Sequence, residues 1–342
     1  MNESIIYREY VSSDFDSYKQ LYKAVFSKEM SAEHFNWKFK SEDMNAIIFC
    51  AVNEKGDLIG SRVVMITKIT VGAKTYKAAQ SVDSMVHPDF QGQGIYKQLN
   101  LHAIEALKQK DISMIMTFPN HNSLPPLEKL GWKKIAPISV YAKVLRYESL
   151  AGSKKFLKIP LRTIDKLLSM KRKKFTYKMD TVDTFNQHQK EFIKHALKNK
   201  IHQNRSEAFL EWKYTQKPDA NYVKVVLSKE EAIHGICVIR MDNHPTKTSG
   251  VITEFIVADD QKKQELLENL LSYCRKELEI DILKLWEVED LELSVSLKKS
   301  HFIKKPSSVW FSIKYLQGLE ESEEYINDAS HWYIAWGDAD TA

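Results

Sequence analysis

The chain has 342 residues, 43% of them apolar, 11% aromatic and 28% charged, an ordinary globular composition that excludes a disordered or collagen-like chain and predicts two domains. Fifty Lys+Arg against 45 Asp+Glu give a formal charge of +5, short of the clustered basic charge of nucleic-acid binders, so no nucleic-acid partner is expected. No run approaches the ~18–20 apolar residues of a membrane helix. The opening MNESIIYREY lacks a basic n-region with an apolar follow-on, and Cys50, Cys237 and Cys274 lie too far apart for a disulfide framework; a cytoplasmic protein is expected.

In chain order, Ile5–Tyr10 reads as a strand, followed by a helix with Phe15, Tyr18, Leu21, Tyr22 and Val25 at helical spacing. A short second helix carries Phe35, Trp37 and Phe39. Two apolar runs, Ala46–Val52 and Leu58–Ile66, flank the turn Asn53-Glu54-Lys55-Gly56-Asp57, which predicts an antiparallel hairpin. A strand over Gln80–Val86 leads through His87-Pro88-Asp89-Phe90-Gln91-Gly92-Gln93-Gly94 into Ile95, Leu99, Ala103 and Leu107, one face of an amphipathic helix. Strands over Ile112–Phe118 and Ile138–Leu145, the latter introduced by Gly131-Trp132, complete a mixed α/β sheet, mainly antiparallel with flanking helices.

Residues 148–180 form a basic linker, with a helix starting near Pro160. Two readings of its basic stretch, 154–174, stay open: a solvated interdomain helix, or a helix resting on an anionic membrane surface. From residue 181 the pattern restarts. Trp37-Lys38-Phe39 is echoed by Trp212-Lys213-Tyr214, Gly60 by Gly235, Val86 by Val257, and Gly131-Trp132 by His301-Phe302. Offsets falling from 175 to 170 are what small loop deletions produce, and they predict a duplicated domain. The expected organisation is 1–147, the linker 148–180, and a degenerate copy 181–342. Its Asp259-Asp260-Gln261-Lys262-Lys263-Gln264 has no glycine where the first copy has two. An acidic run from Glu320 to Glu324 reads as a solvated segment, and the aromatic end from His331 as a tail docked on the protein.

A strand–Gln-Gly-Gln-Gly–helix junction has a definite chemistry. The first helical turn leaves backbone N–H groups without partners and carries partial positive charge, and glycine removes the Cβ that would hold an anion off. Lys97 breaks the dinucleotide fingerprint G-x-G-x-x-G, and the G-x-x-x-x-G-K-[ST] loop is absent. His87, His102 and His121 show no metal-ligand spacing, so no metal is expected.

The stretch Val86-x-Pro88-x-x-Gln91-Gly92-Gln93-Gly94-Ile95 resembles the acyl-CoA loop of the GNAT superfamily of N-acetyltransferases, V-x-P-x-[FY]-[RQ]-G-x-G-[IV]-[GA]. The resemblance extends over about residues 4–145, through Asn120…Lys129-Leu130-Gly131-Trp132, and the repeat resembles tandem GNAT proteins. It implies acetyl-CoA as co-substrate between the strand ending at Val86 and the strand Ile112–Phe118. Its pantetheine would pair near Met85 and Val86, its pyrophosphate would sit on the N–H groups of Gln91, Gly92, Gln93, Gly94, Ile95 and Tyr96, and Asn120 and Ser123 would face it. Asp83, three residues before Val86, is the expected general base on a face shared with Ser81; that it merely hydrogen-bonds a neighbouring loop is the other reading. Early helices would bring His34, Trp37 and Tyr22 to an amine pocket, or Trp37 to the core. Two positions depart from the family pattern. Leu127 stands where many members have an acidic tyrosine, and Tyr96 where the loop wants glycine or alanine. The implied activity is N-acetyl transfer to a primary amine of a small molecule, for instance an amino sugar of a surface-polysaccharide pathway. A non-catalytic acyl-CoA-binding scaffold and a Fem-type aminoacyltransferase are the alternatives.

Overall fold

The computed structural model describes residues 4–41, 45–151, 159–163, 166 and 176–339. The strands are β1 (Ile6–Glu9), β2 (Ala46–Val52), β3 (Leu58–Val71), β4 (Lys74–Val86), β5 (Met114–Thr117), β6 (Lys133–Pro137), β7 (Ser139–Val144), β8 (Lys178–Val182), β9 (His202–Gln203), β10 (Asn221–Lys229), β11 (Ala232–His244), β12 (Lys247–Val257), β13 (Ile282–Glu287), β14 (Ile303–Lys305) and β15 (Trp310–Tyr315). The helices are α1 (Phe15–Phe26), α2 (Ala32–Phe39), α3 (Ile95–Lys108), α4 (Leu124–Lys129), α5 (Gln187–Ala196), α6 (Glu207–Tyr214), α7 (Lys263–Lys276), α8 (Leu291–Lys299) and α9 (Glu323–Asn327).

Two compact units result. The first joins Met1–Ala136, Gln216–Asp219 and Val309–Asp328; the second joins Pro137–Thr215, Ala220–Ser308 and Ala329–Ala342. In the first, strands run β1-β2-β3-β4-β5-β15-β6, with β4 and β5 parallel. On one face lies α3, whose Ile95, Leu99, Ala103 and Leu107 are at most 1% exposed and pack with Phe49, Val64, Ala79 and Ile115. Each buried Ile or Leu contributes about 1.5–3 kcal/mol. Gly60 makes this approach close: a Cβ there would stand 3.0 Å from Ile95 and 3.2 Å from Leu99. The helix α2 begins where Ser31 Oγ accepts from the His34 N–H at 3.0 Å, an N-cap.

The second sheet runs β14-β7-β13-β12-β11-β10-β8 and repeats the pairing of the first. Gly60 opposes Val86 as Gly235 opposes Val257; Ala78 opposes Met114 in parallel as Ser249 opposes Ile282. In both, the strand before the helix is bulged a few residues from its end. The positions matched in sequence, Gly60 with Gly235 and Val86 with Val257, thus hold the same register places in the two sheets.

The expected end of the first domain at residue 147 does not coincide with the end of a unit. Gly131-Trp132 introduces two strands where one was expected. The first, β6, belongs to the first sheet; β7 pairs with β13 and β14 in the second. Conversely β15, late in the chain, pairs with β5. The crossings fall at Pro137 and just after Pro306, residues that lack the N–H a continuing ladder needs. In the expected linker, residues 159–163 and 166 are helical and Arg162 pairs with Glu148 at 2.8 Å; most of the basic stretch lies outside the described residues. Among the described residues no helix is long and apolar enough to cross a membrane.

Candidate active site

The parallel contact of β4 with β5 covers only Ala78, Ala79 and Gln80. Beyond it the strands part, leaving Ser81–Val86 with β3 on one edge and an open splay on the other, bridged at its apex by Thr117 Oγ1 donating to the Ser81 carbonyl at 3.2 Å. Inside this stretch the register against β3 slips: Ser61 opposes Met85 and Val63 opposes Val82, so one β3 residue, Arg62, faces two on β4. At the bulge Asp83 adopts φ 41°, left-handed backbone that costs a non-glycine residue about 1–3 kcal/mol. The alternation expected for Ser81, Asp83 and Met85 is broken there, because a bulge shifts every later side chain by one place.

Asp83 therefore leaves the α3 face and meets α2. Lys38 Nζ donates to its Oδ2 at 2.7 Å, the two side chains being only 6% and 10% exposed. The Tyr18 phenol is wholly buried nearby; desolvation, with the charge of Asp83 second, pushes its pKa well above the usual 10. The carboxylate is thus fixed by an ammonium group against a neutral phenol. Neither Lys38 nor Tyr18 was expected at the site, though the repeated Trp-Lys-aromatic triplet was the available signal. Trp37 is buried in the core, 8% exposed.

At the end of β4 the loop is open. Gly92 (φ 79°) and Gly94 (φ 80°) both need the left-handed region, and a Cβ on either would meet nothing within 4 Å. Gln91, Gly92, Gln93 and Gly94 are exposed, so space lies directly over the first N–H groups of α3, as an anion cradle requires. Gln91 Nε2 donates to the Val86 carbonyl at 3.4 Å. The Met85 and Ile95 side chains are buried at 1%, leaving only their backbones available. Tyr96 turns inward: its ring packs on the α3 core, so it does not narrow the cradle. Asn120 and Ser123 hold each other, the Asn120 Oδ1 accepting from the Ser123 N–H at 3.2 Å and the Ser123 Oγ from the Asn120 N–H at 3.1 Å. Leu127 is core, 2% exposed.

The matching place in the second unit is closed. Lys263, opening α7, is held by Asp260 at 2.9 Å and by Asp290, so carboxylates occupy the turn where the first unit has bare N–H groups. In its splay the tail intrudes. Trp336 stacks on Trp286 with centroids 5.1 Å apart, and a Cβ on Gly337 would stand 2.9 Å from the Thr253 carbonyl and 2.6 Å from Glu254 Oε1. Glu254, three residues before Val257 as Asp83 is before Val86, accepts from Tyr214 at 2.6 Å and Tyr333 at 2.7 Å. Arg205 bridges it to Asp338, with Nη1 2.7 Å from Oδ1. Among the described residues no group of three or more His, Cys, Asp or Glu is placed to hold a metal ion.

Residues 6–135 match the family described as an acetyltransferase (GNAT) domain. Among solved structures the chain is similar to a GCN5-related N-acetyltransferase from Anabaena variabilis, at 9% identity over 92% of this chain and 73% of that one, with a TM-score of 0.66. A probable N-acyltransferase from Enterococcus faecalis gives 10%, 92%, 72% and 0.67. Saccharomyces cerevisiae N-myristoyltransferase with bound myristoyl-CoA gives 11%, 92%, 83% and 0.60. At such identities the likeness is one of fold. No curated protein matches the chain.

Proposed function

We propose that this chain, whose residues 6–135 match the acetyltransferase (GNAT) domain family, transfers the acetyl group of acetyl-CoA to a primary amine of a small molecule. The observation that carries this reading is the coincidence, along one strand end, of an open glycine cradle and a splay with the oriented carboxylate of Asp83 beside it. The pyrophosphate would rest on the N–H groups from Gln91 to Tyr96, where the helix terminus favours negative charge. Pantetheine would run along the free edge of β4 at Met85 and Val86, displacing the weak Gln91 bond to Val86, and Asn120 and Ser123 would flank it from the end of β5. The amine nitrogen attacks the thioester carbon; a C–N bond forms, the C–S bond breaks, and the electron pair leaves on sulfur. Asp83, held by Lys38, takes the ammonium proton directly or through water. An amino sugar on a nucleotide carrier is the first acceptor to screen, by family analogy. The closed turn and intruding tail of the second unit support a single cofactor site.

Thermal unfolding with and without acetyl-CoA tests the reading. At about 100 times Kd the ligand adds roughly 2.7 kcal/mol, several degrees of Tm. Gly94→Glu puts a carboxylate into the cradle and is expected to lose the shift. Absence of any shift in the unaltered protein at millimolar acetyl-CoA rejects the proposal.

A second reading, acyl-CoA binding without turnover, is favoured by the ammonium already seated on Asp83. It predicts a full thermal shift with no thiol release for any amine.

A further inference from the structure

One buried charge in the first unit has no counter-charge among the described residues. Arg62, the β3 residue opposite the bulge, is 1% exposed. Its Nη1 donates to Ser84 Oγ at 3.3 Å, and the guanidinium carbon sits 5.6 Å from the centre of the Trp132 ring. Among the described residues its Nε and Nη2 have no hydrogen-bond partner and no carboxylate contacts it. A guanidinium stays charged even when buried, and a buried charge without a partner is expensive; one retained beside a candidate site points to negative charge arriving there.

The register shows where. Gly60 faces α3, so Arg62, two residues on, faces it as well. Val86 opposes Gly60 and packs on the α3 core, and Ser84 precedes it by two. The bulge thus aims Asp83 at α2 on one side of the strand and Ser84 at α3 on the other, both beside the splay.

We propose that Ser84, polarised by Arg62, donates a hydrogen bond to the CoA sulfur as the thioester breaks. The inference rests on the acetyl-CoA reading above. With its oxygen accepting from the guanidinium, the Ser84 hydroxyl has its own hydrogen to direct at sulfur, and the charge behind it strengthens that bond. Electrons from the C–S bond settle on sulfur, Ser84 keeps its proton, and the thiolate is protonated by solvent after release. In this step Ser84 acts on the leaving sulfur, beside Asp83 as base, and Arg62 is the positioning residue of Ser84. The pair supplies a donor where Leu127 offers none.

The test needs no acceptor: the thiol of free CoA bound to the full chain is titrated by the ultraviolet absorbance of its thiolate. The thiol is expected to titrate about one pH unit or more below unbound CoA. Ser84→Ala and Arg62→Met are expected to return it to the unbound value while CoA affinity changes less than roughly threefold, and Arg62→Lys to restore part of the shift. A bound thiol that titrates like unbound CoA, or one that Ser84→Ala leaves shifted, overturns the inference while the cofactor reading stands. Failure of the unaltered protein to bind CoA overturns both. Should Arg62→Met not fold, Ser84→Ala and Arg62→Lys still decide.

Discussion

Lys38 and Asp83 neutralise each other at 2.7 Å inside the first unit, and neither charge is tolerable there alone. Asp83→Asn strands the ammonium, so it is expected to cost about 3–5 kcal/mol in urea unfolding. Lys38→Met combined with Asp83→Asn is expected to recover most of that stability without recovering any acetyl transfer. Equal instability of the single and double variants would count against the pair. Asp14 makes a different prediction. It accepts from Arg8 Nη1 at 2.6 Å and Nη2 at 2.8 Å, and from the Val11 N–H at 2.8 Å. The Arg8 hydrogen bonds, and less strongly the Val11 one, hold its carboxyl below the usual aspartate value. Its folded value lies below its unfolded one, so its contribution is complete above about pH 4 and is lost as pH falls through the folded value. Stability measured between about pH 2 and pH 5 should therefore slope less steeply in Asp14→Asn.

The helix α3 and its glycine loop were legible because their signals are local: four apolar residues at a helical period and two glycines at the turn. The strand β4 was read from Gln80, yet it starts at Lys74, because exposed Lys74, Thr75 and Lys77 hide its outer part. Lys38 and Arg62 escaped for a related reason. Periodicity assigns charged residues to solvent, whereas these two are buried by partners 45 and 22 positions away. Nothing in one sequence encodes such distances. The bulge at Asp83 was equally silent, since it is defined only against β3. At this scale Gly60→Val is the informative change. The added methyl groups press on Ile95 and Leu99 and lift the first turn of α3, at about 1–3 kcal/mol. The expected result is acetyl-CoA binding weakened although no residue of the loop has changed, read by ligand titration beside urea unfolding.

Each unit takes one strand from the other half of the sequence, which no pattern within a half could reveal. The apolar strand β7 looks equally suited to either sheet, and only its partners decide. Residues 1–147 alone would expose the edge of β5, where Met114, Ile115, Met116 and Thr117 are now at most 8% exposed, and would leave β7 unpaired. Unpaired apolar edges aggregate, so that fragment is expected to be insoluble or unable to give an acetyl-CoA-dependent melting shift, and co-production with residues 148–342 to restore it. A soluble, ligand-responsive 1–147 would show that β15 is dispensable. The exchange also sets a clock. During synthesis the first sheet has every strand up to Pro137 but lacks β15 until Tyr315 has been made, 178 residues later. At ~5–20 residues per second this is roughly 9–36 s. Through that interval the glycine loop hangs from an unfinished sheet whose apolar β5 edge has no partner. Pulse-labelled ribosome-bound chains should stay protease-sensitive across residues 46–117 until the last strand emerges.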